Sequence, residues 1–307
     1  MRHPLSIYIR HTNRACIRFK NKVSHRISKL FKSNTTPSNG TKEIRQTIDQ
    51  NTLRNALLEL GVSLGDTLLV HSGISNLGKI LGGPKFVFDT INELIGQTGH
   101  MLYPVFPFDT LMHEYVSNHP PIFDVKSSPS KMGALSEFAL RTDGGQRSVH
   151  PTHSIIAFGP NKSWFVKDHH LCKTPFADLS PFSRLVESSG KILLIGVGLN
   201  STTSFHRIED KLGINFPIKV YKDKIFTLPC LNIEGQPIKV NTLAHDPFIS
   251  KVRDCNLAKE QLIKHGALRE IPLGNGTIAI IDAKALDDCL QDLYLNQRLT
   301  IYGKIWG

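Results

Sequence analysis

The sequence has 307 residues, of which 40% are apolar and 21% are charged. These proportions lie close to the averages of globular proteins, and they exclude collagen-like, coiled-coil and wholly disordered chains. The longest apolar run, at 192–199, is strand-sized and far below the ~18 residues that suggest a membrane-spanning helix. A chain of this length forms one large domain or two small ones.

The net charge of +11 is concentrated at the N-terminal end. Residues 1–32 contain nine Lys and Arg and no acidic residue, so the remainder of the chain carries only +2. Apolar residues between positions 17 and 31 fall on one helical face, which predicts a cationic amphipathic helix. Residues 33–40 have the composition of a linker. We therefore predict a basic N-terminal extension over 1–40 and one domain over 41–307.

Three interpretations of this extension are open: a solvated tail, a peripheral contact with an anionic membrane, and an organellar transit peptide. A secretory signal is disfavoured, because no uninterrupted apolar stretch of about 7–15 residues follows the charges. Beyond the extension nothing resembles a nucleic-acid-binding module, so no specific nucleic-acid partner is expected. Dispersed cysteines favour reduced thiols and a cytoplasmic location; they are Cys16, Cys172, Cys230, Cys255 and Cys289.

From residue 41 onward, predicted helices alternate with predicted strands. Helical spacing of apolar residues predicts helices over 41–62, 82–99, 131–142 and 180–190. Short apolar runs between them predict buried strands over 66–73, 100–106, 154–159 and 191–198. Residues 218–240 are more β-like, and 259–295 predict a helix, a strand and a further helix. This order predicts an α/β fold: a single layered domain with a central mixed β-sheet flanked by helices.

Several familiar site motifs are incomplete. The Gly-Val-Gly at 196–198 follows a strand, but Ser201 stands where a dinucleotide fingerprint requires its third glycine. Neither a Walker A sequence nor the Gly-x-Ser-x-Gly elbow of a hydrolase is present. A metal site at His169, His170 and Cys172 is disfavoured, because adjacent residues rarely ligate one ion well. No metal is therefore expected.

Polar loops that follow strands are the places where open α/β sheets bind ligands. Such segments lie at 68–83, 147–159, 168–185 and 191–210. In the second, Pro151 holds His150 outside a helix, and imidazole titrates near neutral pH as a general base does. In the fourth, the i,i+3 spacing places His206 and Glu209 on one helical face. Each segment also has a simpler interpretation, as a tight connection, polar surface or an exposed helix face.

Taken in order, these segments resemble the aminoglycoside 3-N-acetyltransferase family over about residues 45–290. Relatives carry a VHSSLSSLG…GG pattern, similar to 70–83 here, and an MGALSEF-like stretch, similar to 132–138. The pattern RSxHPxxSxxAxG is matched by Arg147, Ser148, His150, Pro151, Ser154, Ala157 and Gly159. FGxxSPxxRL is matched by Phe176, Ser180, Pro181 and Leu185. GKxLLLGxxxxxxTxxHxxE is matched by Gly190, Lys191, Gly196, Thr203, His206 and Glu209.

The sequence departs from the family pattern at three places. Ala177 replaces the usual glycine after Phe176, and Arg207 and Ile208 stand where relatives commonly have Tyr-Ala. Residues 103–125, which would shape the acceptor pocket, match poorly. These differences bear on the acceptor more than on the chemistry.

The resemblance implies transfer of an acyl group from acetyl-CoA, or another acyl-CoA, to an amine. A base must take a proton from the amine as it attacks the thioester. We predict His150 as this base, with Glu209 or another nearby carboxylate orienting its ring and stabilising the imidazolium. The alternative bases are His153, His170 and His206.

The acyl-CoA is expected at two of the loops, on the residues His71, Ser72, Gly73, Ile74, Ser75, Thr202 and Thr203. Backbone N–H groups or Ser and Thr hydroxyls would stabilise the oxyanion of the tetrahedral intermediate. No cysteine lies beside His150 in sequence, so direct transfer is favoured over an acyl-enzyme on Cys172.

The acceptor is the least determined part of the prediction. An aminoglycoside is a polycation and requires a carboxylate-lined cleft. Asp109, Glu114 and Asp124 could supply acids, yet the chain after residue 32 is slightly basic. We therefore favour an amino sugar, nucleotide-linked or free, in surface-glycan synthesis. The alternatives are an aminoglycoside 3-N-acetyltransferase that confers antibiotic resistance, and a non-catalytic binding module, which the presence of both His150 and Glu209 disfavours.

Overall fold

The computed structural model describes residues 46–305. Its α-helices are α1 Gln50–Glu59, α2 Gly83–Ile95, α3 Met112–Ser117, α4 Ala134–Arg141, α5 Lys162–Val166, α6 Pro181–Glu187, α7 Arg207–Leu212, α8 Pro247–Val252, α9 Lys259–Lys264 and α10 Ala283–Gln297. Its strands are β1 Thr47–Ile48, β2 Thr67–Ser72, β3 Lys79–Ile80, β4 His100–Pro104, β5 Phe123–Asp124, β6 Gln146–Arg147, β7 Ile155–Phe158, β8 Lys191–Ile195, β9 Tyr221–Leu231, β10 Pro237–His245, β11 Leu268–Leu273, β12 Gly276–Asp282, β13 Leu299–Thr300 and β14 Gly303–Lys304.

The central sheet has seven strands in the order β11-β12-β8-β2-β4-β7-β6. Strand β2 lies at its centre and is parallel to both β4 and β8, whereas β7, β12 and the edge strands pair antiparallel. Central strands of a sheet covered on both faces read as continuous apolar runs, which explains why β2, β4 and β8 are almost wholly buried. The structure confirms the predicted α/β fold with a central mixed sheet flanked by helices.

Local sequence signals explain where the longer helices begin and end. Asp49 and Asp282 cap α1 and α10 by accepting from backbone N–H groups in the first turn. Pro84 lies in the first turn of α2, and Gly96 follows its last turn at a φ of 65°. Helices α1, α2 and α4 pack together on the apolar core, while α6 contacts β2 and α10.

The β-like region predicted over 218–240 forms a long hairpin. Strands β9 and β10 pair antiparallel, and the short strand β5 joins β9 to make a separate three-stranded sheet. The register of the hairpin shifts between Leu243 and His245, where residues 222–224 of β9 lie opposite Ala244 alone, so the bulge is in β9. Bulges redirect side chains next to functional sites, and this one lies where β10 approaches the histidines described below.

The predicted helix–strand–helix order after residue 259 is also present, with an additional strand, β11, paired to β12. Within residues 46–305, no helix is both long and apolar enough to cross a membrane. The predicted amphipathic helix and linker of the N-terminal extension lie outside the described residues.

Candidate active site

The ends of two neighbouring parallel strands bring the first and fourth polar loops together. In the register of β2 and β8, Ser72 lies opposite Ile195, so both loops begin at the same edge of the sheet. Asn76 donates from Nδ2 to the carbonyl oxygen of Gly196 at 2.8 Å. A Cβ atom at Gly196, whose φ is 67°, would lie 2.6 Å from the carbonyl oxygen of Gly73. The glycine at 196 is therefore explained by this close loop contact.

Buried polar atoms without a partner gather in these two loops. Within the described residues they include Nε2 of His71 and the hydroxyl oxygens of Thr202, Thr203 and Ser204. Burial lowers the pKa of His71 to about 4, so its ring is neutral at neutral pH. Sealed polar groups without partners are costly in a finished fold, and they commonly mark a place where a ligand supplies the missing hydrogen bonds.

A buried arginine holds the second loop. Arg147 donates from Nε to the Ser154 hydroxyl at 3.0 Å and from its terminal nitrogens to the carbonyl oxygens of Val105 and Ser128. Its guanidinium also lies over the ring of Phe123, 4.7 Å from the centroid. Burial lowers the pKa of Arg147 only to about 10, so the group stays charged and its bonds fix the loop between β6 and β7.

His150 is completely buried in this loop, and its hydrogen bonds define its tautomer. Its Nδ1 accepts from the backbone N–H of His153 at 3.2 Å and lies 3.1 Å from the Thr152 hydroxyl. The proton of the neutral ring is therefore on Nε2, which is sealed and has no partner among the described residues. The ring stacks on His169, with centroids 4.4 Å apart. Burial first, and then the neighbouring histidines, hold the pKa of His150 well below its ordinary value.

His153 and His169 are the other buried histidines of this region. Nδ1 of His153 lies 3.0 Å from the Thr152 hydroxyl, and its ring packs against Phe106 and Phe176. His169 is held by the Ser148 hydroxyl at 2.9 Å and by the carbonyl oxygen of Pro175 at 3.0 Å.

Burial is the main cause that lowers the pKa of both rings, to about 3 for His169 and well below the ordinary value for His153. His170 is half-buried, and electrostatic repulsion from its ring is a minor cause of the low pKa of His150 and His169.

Glu209 forms the centre of a second histidine cluster. His206 donates from Nδ1 to both carboxylate oxygens, at 3.0 and 3.1 Å, in agreement with the predicted i,i+3 pairing on one helical face. His245 donates from Nε2 to Oε2 at 2.9 Å, and the Tyr302 hydroxyl donates to Oε1 at 2.5 Å. The expected orientation of His150 by Glu209 is therefore corrected, because the hydrogen bonds of this carboxylate go to other residues.

The charge states in this cluster follow from its contacts. Burial raises the pKa of Glu209, but the charge and hydrogen bonds of His206 and His245 outweigh burial and lower the pKa to about 2. Burial lowers the pKa of His206 to about 4, and the Arg253 cation adds to this effect. An ionised carboxylate thus lies between two imidazole rings whose centroids are 4.4 Å apart.

Arg253 occupies the remaining nitrogen of His206. Its Nη1 donates to His206 Nε2 at 2.9 Å, and its Nη2 donates to the carbonyl oxygen of Asn200 at 2.8 Å. The same loop is held by Asn200, whose side chain accepts from the backbone N–H of Cys255 at 2.7 Å. His206 therefore uses both ring nitrogens in hydrogen bonds.

Phe176 connects the two histidine clusters. Its ring lies 5.1 Å from His153, 5.3 Å from His206 and 6.1 Å from His245, measured between ring centroids. The second, third and fourth polar loops therefore meet around one aromatic side chain. Sequence reasoning missed His245, Tyr302 and Arg253, since they lie in the hairpin or near the C-terminus and carry no recognisable local motif.

Neither an acyl-enzyme on Cys172 nor a metal ion is needed to explain the arrangement of these residues. Burial raises the pKa of the Cys172 thiol to about 11, so its nucleophilic thiolate is scarce at neutral pH. Ligand atoms of His206, Glu209 and His245 lie within 4.8 Å of one another, a spacing that a metal ion could use. Both rings already direct their protons to the carboxylate, so hydrogen bonding accounts for the arrangement.

The chain is similar to known proteins of one family. The model of the aminoglycoside 3-N-acetyltransferase family matches residues 69–294. An aminoglycoside N(3)-acetyltransferase III from Salmonella sp is 30% identical over 226 residues, which cover 64% of this chain and 79% of that protein. An aminoglycoside N(3)-acetyltransferase VIII from Streptomyces fradiae is 30% identical over 162 residues, covering 49% of this chain and 56% of that protein.

Solved structures show the same fold. The structure of AAC-VIa bound to sisomicin has a TM-score of 0.67 and 27% identity, covering 82% of this chain and 99% of that one. The structure of AAC-IIIb with CoASH has a TM-score of 0.68 and 24% identity, covering 85% of this chain and 100% of that one. Because the family model spans most of its length, the chain belongs to the aminoglycoside 3-N-acetyltransferase family and is an N-acyltransferase.

Proposed function

We propose that the protein transfers an acetyl group from acetyl-CoA to an amino group of an amino sugar, nucleotide-linked or free. The observation that carries this proposal is the buried carboxylate of Glu209, which accepts hydrogen bonds from His206 and His245. The unpartnered polar groups of the first and fourth loops lie at the same edge of the sheet. A base and a set of vacant hydrogen-bonding groups are what acyl transfer to an amine requires.

Direct transfer between bound substrates is the chemistry that these residues support. The amine attacks the thioester carbonyl, and a histidine accepts its proton as the new C–N bond forms. The negative charge of Glu209 stabilises the imidazolium that results. An acyl-enzyme on Cys172 is unfavourable, because burial raises the pKa of this thiol to about 11.

The assignment of the base departs from the expectation that His150 fills this role. Nδ1 of His150 already accepts from the backbone, and no carboxylate within residues 46–305 is hydrogen-bonded to the ring. His206 and His245 both donate to Glu209 and satisfy the geometric requirement of a base held by an orienting group. His150 and His153 remain candidates that substitution tests.

The acyl-CoA is proposed to bind across the ends of β2 and β8. His71, Thr202 and Thr203 each have a buried polar atom without a hydrogen-bond partner in the part of the chain that the structure describes. Ser72 and the backbone of Gly73, Ile74 and Ser75 complete the first loop, and they are proposed to receive the pantetheine arm. The hydroxyls of the fourth loop, near His206 in the chain, are suited to the oxyanion of the tetrahedral intermediate.

The choice between the two classes of acceptor depends on where the acidic side chains lie. Asp109 and Glu114 are exposed, and the Asp124 carboxylate is already used by the backbone of Lys126 and the hydroxyl of Ser127. The acids expected to bind a polycation therefore form no enclosed site, which favours a less cationic amino sugar. An aminoglycoside remains the second candidate, because one structural relative is bound to sisomicin.

The test is release of free coenzyme A thiol from acetyl-CoA, measured against a panel of amines. The panel contains free amino sugars, nucleotide-linked amino sugars and sisomicin, and a reaction without amine measures background hydrolysis. Amine-dependent thiol release with a matching N-acetylated product supports the proposal. The acceptor with the highest kcat/KM identifies the class, and thiol release that never depends on an amine would contradict acyl transfer.

The N-terminal extension is proposed to make a peripheral contact with anionic membrane, and the remaining chain to work in the cytoplasm. The proposal rests on the nine basic residues of 1–32. Deletion of residues 1–38 should abolish co-sedimentation with anionic liposomes while leaving thiol release unchanged. Equal binding of the full and shortened chains would contradict a membrane contact.

A further inference from the structure

We infer that the acceptor is an amino sugar carried on a nucleoside diphosphate, and that Lys224 on the β9–β10 hairpin binds its phosphates. The half-buried ring of Tyr115 on α3 is assigned to the nucleobase. This inference rests on the proposed function and narrows it, because that function includes both free and nucleotide-linked amino sugars. Neither residue belongs to the sequence patterns that resemble the family.

The bulge in β9 sets Lys224 on the inner face of the hairpin, next to the Glu209 cluster. Residues 222–224 lie opposite Ala244, which directly precedes His245 in β10. The ammonium of Lys224 lies 4.6 Å from the centroid of the Phe226 ring. Phe226 is buried and marks the inner face of the hairpin. Because bulges redirect side chains beside functional sites, the position of this lysine follows from the local geometry of β9.

Lys224 is a cation without an acidic partner within residues 46–305. The two lysines that precede it in the same part of the chain are both paired, Lys219 with Asp223 and Lys222 with Asp246. The contact of the Lys224 ammonium is instead with an aromatic ring, which leaves its three N–H donors for an anion. Lysine is a common ligand of phosphate in proteins.

Arg253 adds a second positive charge that no carboxylate of the described chain neutralises. Its terminal nitrogens donate to Nε2 of His206 and to the carbonyl oxygen of Asn200, which are both uncharged. The acids of this region are held inside the fold, since Glu209 is buried and Oδ2 of Asp210 is sealed. The nitrogens of Arg253 are occupied, so this residue contributes positive potential while Lys224 supplies the direct phosphate contact.

A row of aromatic rings leads from the histidines to α3. The centroid of His153 lies 4.5 Å from that of Phe106, Phe106 lies 6.1 Å from Phe108, and Phe108 lies 4.9 Å from Tyr115. The first three rings are buried, whereas Tyr115 at the end of the row is half-buried. Nucleobases of every kind stack on exposed aromatic rings, so Tyr115 has the chemistry required to hold a base.

Helix α3 connects the aromatic row with the lysine. His113 on this helix packs edge-on against Phe226, with ring centroids 5.8 Å apart, and Tyr115 follows two residues later. Glu114 between them is exposed. The segment expected to shape the acceptor pocket therefore contributes aromatic rings and adjoins an unpaired cation. A nucleoside diphosphate is anionic and carries a flat base, so it complements this surface, whereas a polycation is repelled by Lys224 and Arg253.

The first test compares one amino sugar in its free form and in its UDP- or dTDP-linked form. We expect the wild-type kcat/KM of the linked form to be higher by about tenfold or more, mainly through a lower KM. Lys224→Gln should raise the KM of the linked form by about tenfold, with little change in kcat and no change for the free sugar. Lys239→Gln, at an exposed position on the outer face of the same hairpin, is the matched control.

The second test separates the phosphates from the base by inhibition. UDP, dTDP and inorganic pyrophosphate are the probes, and the linked amino sugar is the varied substrate. All three should compete with the linked sugar and not with acetyl-CoA, and Lys224→Gln should raise all three inhibition constants. Tyr115→Leu should raise the constants of UDP and dTDP and leave that of pyrophosphate unchanged, because it removes stacking but no charge. Thermal unfolding verifies that each variant is folded.

The results that would overturn the inference differ from those that would overturn the proposed function. Equal kcat/KM for the free and linked sugars, a higher kcat/KM for sisomicin, or an unchanged KM of the linked sugar in Lys224→Gln would overturn the inference. Amine-dependent thiol release in any of these cases leaves the proposed function intact. Thiol release that depends on no amine would overturn both.

Discussion

The two histidine clusters on either side of Phe176 differ in what supports their rings. In the loop after β6, His150 and His153 are supported by the backbone and by the Thr152 hydroxyl. In the Glu209 cluster, two rings share one ionised carboxylate. Burial disfavours a charged imidazole in both places, but only the second offers a negative charge that compensates. The proposed function therefore predicts that the Glu209 cluster matters more for proton transfer than the cluster of His150 and His153.

Removal of the negative charge of Glu209 should have the largest effect on activity. Glu209→Gln keeps the size of the side chain but cannot stabilise an imidazolium, so we expect kcat to fall by about 10³-fold. Amine-dependent thiol release measures the effect, and thermal unfolding verifies that the variant is folded. Glu260→Gln, at an exposed position on α9, is the matched control. If the kcat of Glu209→Gln stayed within threefold of wild type, the proposed difference between the two histidine clusters would be wrong.

The neutral buried histidines outside the Glu209 cluster predict instability in acid. The folded pKa values of His71 and His169 are lowered to about 4 and about 3, whereas the unfolded chain takes up protons below pH 6.5. Stability is therefore complete above pH 6.5 and is lost as the pH falls towards these folded values. Each group removes up to about 1.4 kcal/mol of unfolding free energy per pH unit.

Urea unfolding at pH 7.5, 6.0 and 5.0 measures this loss. His169→Gln should reduce the slope of unfolding free energy against pH by the contribution of one histidine, even if the variant is less stable at every pH. A pH-independent unfolding free energy in the wild type would show that the buried rings do not resist protonation.

Substitution of His150 tests the first cluster directly. Because its Nδ1 lone pair is used by the backbone, His150→Ala should change kcat by less than about tenfold while lowering the melting temperature, since a fully buried stacked ring is lost. The kinetic assay and thermal unfolding are run on the same preparation. A loss of kcat above 10²-fold at unchanged stability would instead identify His150 as the base.

Among these variants, substitution of Arg253 should have the smallest effect on activity. Arg253→Gln removes the cation that contributes to the low pKa of His206, so the His206 pKa should rise. Histidine proton resonances followed against pH measure this rise directly. Because Glu209 keeps its contacts with both His206 and His245, kcat should change by no more than about fivefold, which corresponds to about 1 kcal/mol of activation free energy. A much larger rise in activity would indicate that freeing His206 Nε2 creates a better base.

Much of the fold could be predicted from the sequence because its signals are local. The apolar runs at β2, β4 and β8, and the helical spacing before and after them, predicted the order of strands and helices along the chain. The spacing of His206 and Glu209 also determined that their side chains share a helical face, and the structure joins them by hydrogen bonds. These features depend on residues within a few positions of one another.

The partners of the site depend instead on how distant segments pack. His245 is separated from Glu209 by 36 positions and Tyr302 by 93, and neither has a sequence pattern that points to a carboxylate. The pairing of β10 with β9, the return of the chain after α10 and the packing around Phe176 bring them together. Tertiary structure decided that Glu209 supports His245 rather than His150, because a hydrogen bond requires atoms about 3 Å apart and sequence order does not fix such a distance.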